Sequence, residues 1–160
     1  MILVTVGMQL GFDRLIEAMD RLAPDLHTAV IAQTGKGHYV PRNMEAHEKI
    51  EPARFEPMVK SAEVIVSHAG IGSVLTAARY AKPIVLLPRR ASLGEHRNDH
   101  QMATIRKLTG RPGILIAQDE SELAERIREA RALGEAPQQQ APSLQHLHTA
   151  RANVSEGRIL

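Results

Sequence analysis

The chain of 160 residues contains no cysteine and no tryptophan, and only two tyrosines and two phenylalanines. Without cysteine there is no disulfide framework, no thiolate metal site and no cysteine nucleophile. That usage fits the cytoplasm. So few aromatics, with no contiguous basic block beside them, argue against base stacking and hence against a nucleic-acid partner. Charge of one sign is also scarce: twenty Lys plus Arg against eighteen Asp plus Glu leave a formal +2. The pI of 9.2 overstates how basic the chain is, because the charges nearly balance. No apolar run approaches the ~20 residues that span a bilayer. Met1 to Val4 is apolar but short, lacks a basic flank and runs into Thr5 and Gly7, unlike a signal peptide. The expectation is a soluble chain that reaches a membrane only through a partner or a surface helix.

What is present is a core. Hydrophobic residues make up 43% of the chain, enough to exclude general disorder, and the length suits one domain with a tail. Residues 1–133 alternate short apolar runs with helical patterns. Ile2 to Val6, Ala29 to Ala32, Val64 to Val66, Pro83 to Leu87 and Ile114 to Ile116 read as strands. Phe12, Leu15, Ile16, Met19 and Leu22 recur at helical spacing, with Pro24 as the stop. Residues 34–57, rich in Gly and Pro, read as loop with a short strand near Ile50. Helices are expected over Ile71 to Ala81 and Gln101 to Leu108. A last helix has Asp119 as cap, Glu122 completing a capping box and Gly134 as its end. Residues 134–160, with Gln138 to Gln140, His146 and His148, read as a polar, flexible tail with solvated histidines.

Strand–helix alternation with near-continuous apolar strands predicts an α/β fold: a Rossmann-like parallel sheet with helices on both faces. Such sheets bind ligands beyond the carboxyl ends of the strands, near the switch point of the strand order. The informative loops are therefore 7–11, 33–38, 67–73 and 88–100.

Ser67-His68-Ala69-Gly70-Ile71-Gly72-Ser73 joins a strand to a helix. Its glycines permit close backbone approach, and the free N–H groups of a helix start favour an anion such as phosphate. A tight turn with no ligand explains the same residues equally well. It is neither a Walker A loop nor GxGxxG. Gly7 to Gly11 occupies the same topological place after the first strand, and Lys36 lies in a third glycine-rich exit. Segment 89–101 is the densest in polar residues. His96 and His100 stand four apart, which on a helix is metal-ligand spacing, but Arg97 occupies the place of the zincin glutamate. The competing readings are a loop hydrogen-bonding a polyhydroxylated ligand and a solvated loop. Ser73 and Ser92 lack the G-x-S-x-G elbow of a hydrolase.

TVGMQLGFDRL, EVIVSHAGIGSVLTAARYAKPIVLLP and NDHQ, in that order, resemble the C-terminal domain of family 28 glycosyltransferases. The likeness covers residues 1–133 and is strongest to stand-alone Alg13-like and PssE-like subunits. It implies one half of a GT-B fold, split from a membrane-anchored Alg14-like or PssD-like subunit that carries the acceptor half. Length fits independently, since one such domain is half of a two-domain enzyme. The implied activity is inverting transfer of a hexosyl residue (GlcNAc, glucuronate or similar) from a UDP-sugar to a lipid-linked acceptor, in exopolysaccharide or glycolipid synthesis. Localisation would be cytoplasmic, peripheral to the inner face of the membrane through the partner.

Carried onto this sequence, Gly7, Gly70, Gly72 and Ser73 would face the diphosphate, with Ser67 and His68 beside them. His100 and Gln101 would contact the donor sugar. Thr76 stands where relatives commonly carry an acidic ribose ligand, so ribose recognition is altered or falls to another residue. No cofactor and no metal are implied, the helix N-terminus stabilising the leaving diphosphate. His68 and His96 are the candidate general bases, unless the partner supplies that group. Arg89 and Arg90 are candidates to pair with a donor carboxylate. The alternative reading is a non-catalytic nucleotide-sugar-binding or interaction module.

Overall fold

The computed structural model describes residues 1–135. Strands β1 (Ile2–Thr5), β2 (Val30–Gln33), β3 (Glu45–His47), β4 (Val64–His68), β5 (Ile84–Leu87) and β6 (Ile114–Ile116) form one sheet in the order β3-β2-β1-β4-β5-β6. Every pairing is parallel. The order reverses between β1 and β4, so their carboxyl ends flank the crevice expected of a doubly wound sheet.

Alternation along the strands divides the core into two layers. Ile2, Val4, Val6, Val64, Val66, Val85 and Leu87 face α1 (Asp13–Leu26) and α5 (Leu123–Glu135). Leu3, Ile65, Ile84 and Leu86 face α2 (Pro52–Ser61), α3 (Ile71–Arg79) and α4 (His100–Leu108). Both faces of the central strands are thus buried, which is why they read as continuous apolar runs.

Most element ends lie within two residues of the sequence reading, but several places differ more. Pro24 does not stop α1, which runs to Leu26. A proline inside a helix removes the N–H that would reach the carbonyl four residues back. Here that carbonyl belongs to Asp20, and Asn43 Nδ2 donates to it at 3.1 Å. The short strand lies at Glu45–His47 rather than near Ile50, and α2 fills a segment read as loop. Pro52 at its first turn suits a helix start. Finally, Gly134 lies inside α5. Asp119 caps a 3₁₀ turn, Glu120–Glu122, that precedes α5, and Glu122 accepts from Gln118 N rather than closing a box on Asp119. Residues 136–160, including His146 and His148, lie outside the described residues.

Two acidic side chains of α1 order the long loop after β2. Asp13 accepts from His38 N and Tyr39 N. Asp20, 2% exposed, accepts from Tyr39 Oη at 2.7 Å, Asn43 N at 2.7 Å and Arg42 N at 3.0 Å. Burial alone would raise the Asp20 carboxyl; the hydrogen bonds from Tyr39, Asn43 and Arg42 outweigh it and hold the group below its ordinary value. The glycine-rich exit carrying Lys36 is therefore a braced loop, with Lys36 itself exposed.

Candidate anion and nucleotide site

Three strand exits converge at the switch point: the Gly7 turn after β1, residues 67–73 after β4, and residues 88–100 after β5. Thr5 at the end of β1 shares a hydrogen bond with Ser67 Oγ at 3.2 Å and lies 3.5 Å from Ser73 Oγ. Ser67 is fully buried, and its hydroxyl ties β4 to β1. Gly70 is the cap of α3 and supplies no side-chain acceptor. The first-turn N–H groups, from Ile71 onward, are left open by the helix itself, at the positive end of its dipole.

His68 lies between two glycines. A Cβ on Gly70 would come 2.3 Å from His68 Cε1, and one on Gly7 would come 3.0 Å from His68 Nε2. Gly7 also has φ +81, where side chains are strained. Both glycines are required by the ring's position. Gly72 differs: a Cβ there would meet nothing within 4 Å, so it borders open space above the helix start.

Gln101 fixes the chemistry of that ring. Its Oε1 accepts from Arg89 N at 2.9 Å and Ala69 N at 3.3 Å, which orients the amide. Its Nε2 consequently donates to His68 Nδ1 at 3.0 Å. With Nδ1 accepting, the neutral imidazole carries its proton on Nε2, toward Gly7. Burial, reinforced by the charges of Arg89 and His96, lowers the His68 pKa to about 4. At neutral pH the ring in this arrangement is an uncharged donor whose Nδ1 lone pair is already engaged, which suits it to donating a hydrogen bond rather than to taking a proton as a general base. Gln101 is 9% exposed and three of its bonds are internal, leaving one amide N–H for a ligand.

The segment after β5 corrects two further expectations. Arg89 is 2% exposed, and its guanidinium donates to the carbonyls of Val6, Leu10 and Gly11. It is buried, and three of its five N–H donors already go to backbone carbonyls, which sets it as a brace of the turn rather than a partner for a donor carboxylate. Arg90 donates to Gln118 O at 2.6 Å from a more exposed position. His96 precedes α4 in a loop held by Arg14, whose guanidinium grips Glu95 through two bonds of 2.9 Å. The four-residue spacing therefore does not align His96 with His100 on one helix face. His96 Nδ1 accepts from Asn98 N at 3.4 Å, and His100 is exposed. Among the described residues no three His, Cys, Asp or Glu are grouped to hold a metal ion. Thr76 Oγ1 donates to Gly72 O at 3.0 Å, one turn from the helix start.

Sequence reading missed Gln33, which is buried and works as Gln101 does. Its Oε1 accepts from Val6 N at 3.2 Å while Nε2 donates to the carbonyls of Gly7 and Glu48, both at 3.1 Å. A lone glutamine at a strand end was its only signal.

The chain is 43% identical over 47 residues to a UDP-N-acetylglucosamine transferase subunit, ALG13, of Cryptococcus neoformans. That match covers 28% of this chain and 24% of the relative, so the chain matches about a quarter of that protein's length. Among solved structures, the glycosyltransferase SnogD of Streptomyces nogalater is similar with a TM-score of 0.52 and 22% identity, over 83% of this chain and 35% of that one. The spinosyn forosaminyltransferase SpnP aligns with a TM-score of 0.53 and 18% identity, over 95% of this chain and 43% of that one. These likenesses show the fold: a Rossmann-like sheet that forms one half of a GT-B architecture. Residues 1–154 match the glycosyltransferase family 28 C-terminal domain, and the chain belongs to that family.

Proposed function

We propose that this chain is the donor-binding half of a two-component inverting glycosyltransferase that uses a UDP-sugar. The observation that carries the reading is the convergence, at one switch point, of an uncapped helix start, the Gly7 turn and an imidazole held neutral with Nε2–H toward that turn. Together they form a cradle of neutral donors, suited to a diphosphate whose charge grows as the sugar departs. The acceptor hydroxyl attacks the anomeric carbon, the glycosidic bond to the diphosphate breaks, and UDP leaves. Helix N–H groups and His68 stabilise the charge on the leaving group, so no metal is required. With His68 locked as a donor, the group that deprotonates the acceptor is His96 or a residue of the partner. The remaining N–H of Gln101, with His100, lies at the donor-sugar side.

The partner is a membrane-anchored subunit of Alg14-like or PssD-like type bearing a lipid-linked acceptor, and this chain is cytoplasmic and peripheral. Among the described residues no helix is long and apolar enough to cross a membrane. Thermal unfolding with UDP, ADP, GDP and UDP-sugars, each with and without EDTA, tests the site. A ligand at a hundred times its Kd adds ~2.7 kcal/mol, several degrees in a domain of this size. A uridine-specific shift unaffected by EDTA supports the reading; no shift from any nucleotide overturns it for the isolated chain. Binding without turnover beside the partner would favour a non-catalytic nucleotide-sugar module, a reading kept open by the threonine at position 76.

A further inference from the structure

Arg89 is an unusual resident of a protein interior. It is 2% exposed, yet no carboxylate bonds its guanidinium. Its donors go to the carbonyls of Val6, Leu10 and Gly11, and its Cζ lies 4.8 Å from the centre of the Phe12 ring. Glu95, the acid whose charge acts on it, is already gripped by Arg14. A buried charge without a direct counterion is costly unless something else compensates it. The same residue's N–H donates to Gln101 Oε1, the amide that orients His68. Arg89 therefore touches both walls of the crevice, the Gly7 turn through its side chain and the His68 wall through its backbone.

We propose that Arg89 is a positioning residue for the anion site: it clamps the 7–11 turn and lends the crevice an unneutralised positive charge without contacting the ligand. The charge left unpaired in the free protein is met when a diphosphate occupies the adjacent donor cradle. Carbonyls of Val6, Leu10 and Gly11 that would otherwise repel that anion are engaged by the guanidinium. This rests on the diphosphate reading of the site.

The test compares Arg89→Met, Arg89→Gln and Arg89→Lys, titrating UDP and uridine by NMR and following the His68 ring. Loss of charge should weaken UDP by about tenfold or more while uridine changes little. Arg89→Lys, which keeps charge but lacks the fork, should fall between wild type and Arg89→Met. Independently of any ligand, the His68 pKa should rise in Arg89→Met and Arg89→Gln and less so in Arg89→Lys. Equal losses for UDP and uridine, or an unmoved His68 pKa in a folded variant, would overturn the proposal and leave a structural brace. If Met and Gln variants do not fold, the Lys variant decides: an unchanged UDP-to-uridine ratio refutes the clamp. If wild type binds no diphosphate, the donor-site reading fails, whereas the His68 readout still judges the electrostatic coupling.

Discussion

Gln101 Nε2 donates to His68 Nδ1 at 3.0 Å, and that bond decides which nitrogen of the imidazole carries the proton. Because two backbone N–H groups hold the amide oxygen, the amide cannot flip without leaving both unpaired. A side chain on α4 thereby sets the protonation of a side chain at the end of β4.

Replacing Gln101 by Leu strands the N–H groups of Ala69 and Arg89 in the interior and should cost about 1–3 kcal/mol for each donor left unpaired. Replacing it by Glu keeps an acceptor for both but sets a carboxylate oxygen against Nδ1, which favours the protonated ring. The His68 pKa should then climb from about 4. Chemical denaturation and a ring-proton titration read the two effects separately.

Stability should respond to pH through the same ring. The folded-state pKa of about 4 lies below the ordinary 6.5, so the unfolded chain takes up the proton first as pH falls. Stability is full above pH 6.5 and is lost between 6.5 and 4, by about 3 kcal/mol from this residue. The denaturation midpoint of His68→Ala should be flatter than that of wild type over that window; parallel curves would contradict the assignment.

The two glycines of the helix start should behave oppositely. Gly70→Ala forces a Cβ to 2.3 Å from the His68 ring and should destabilise the fold while displacing the imidazole. Gly72→Ala meets nothing within 4 Å and should leave stability unchanged or raise it by up to about 1 kcal/mol. If the diphosphate occupies that open space, UDP affinity falls in the stable variant. Melting curves beside UDP titrations distinguish the cases.

Asp20→Ala removes the acceptor for Tyr39 Oη, Arg42 N and Asn43 N. It should destabilise the domain by about 1–3 kcal/mol or more, and speed amide exchange at residues 39–43 ahead of β4. Uniform exchange across the domain would argue against a local anchor.

The parallel sheet, its switch point and the 67–73 loop were legible because each is written locally: apolar runs, glycines at a strand exit, and a helical pattern after them. Pro24 misled because the carbonyl it frees is taken by Asn43, which lies far along the chain. The second helix was hidden by Pro52 and Pro57, although the first of these sits where helices tolerate proline. Arg89, Gln33 and the Arg14–Glu95 pair were misread or missed for one reason. Their partners come together only when the loops meet, and arginine or glutamine in a polar loop looks the same whether solvated or buried. His96 and His100 had the spacing of a ligand pair, but a helix that begins at His100 cannot use it.

The most direct test of the donor cradle is a long-range ¹H–¹⁵N spectrum of the His68 ring at neutral pH, recorded alone and with UDP. The account predicts a neutral ring protonated at Nε2, whose Nε2 resonance shifts with UDP and not with uridine. A ring protonated at Nδ1, or one indifferent to UDP while other residues respond, would contradict it.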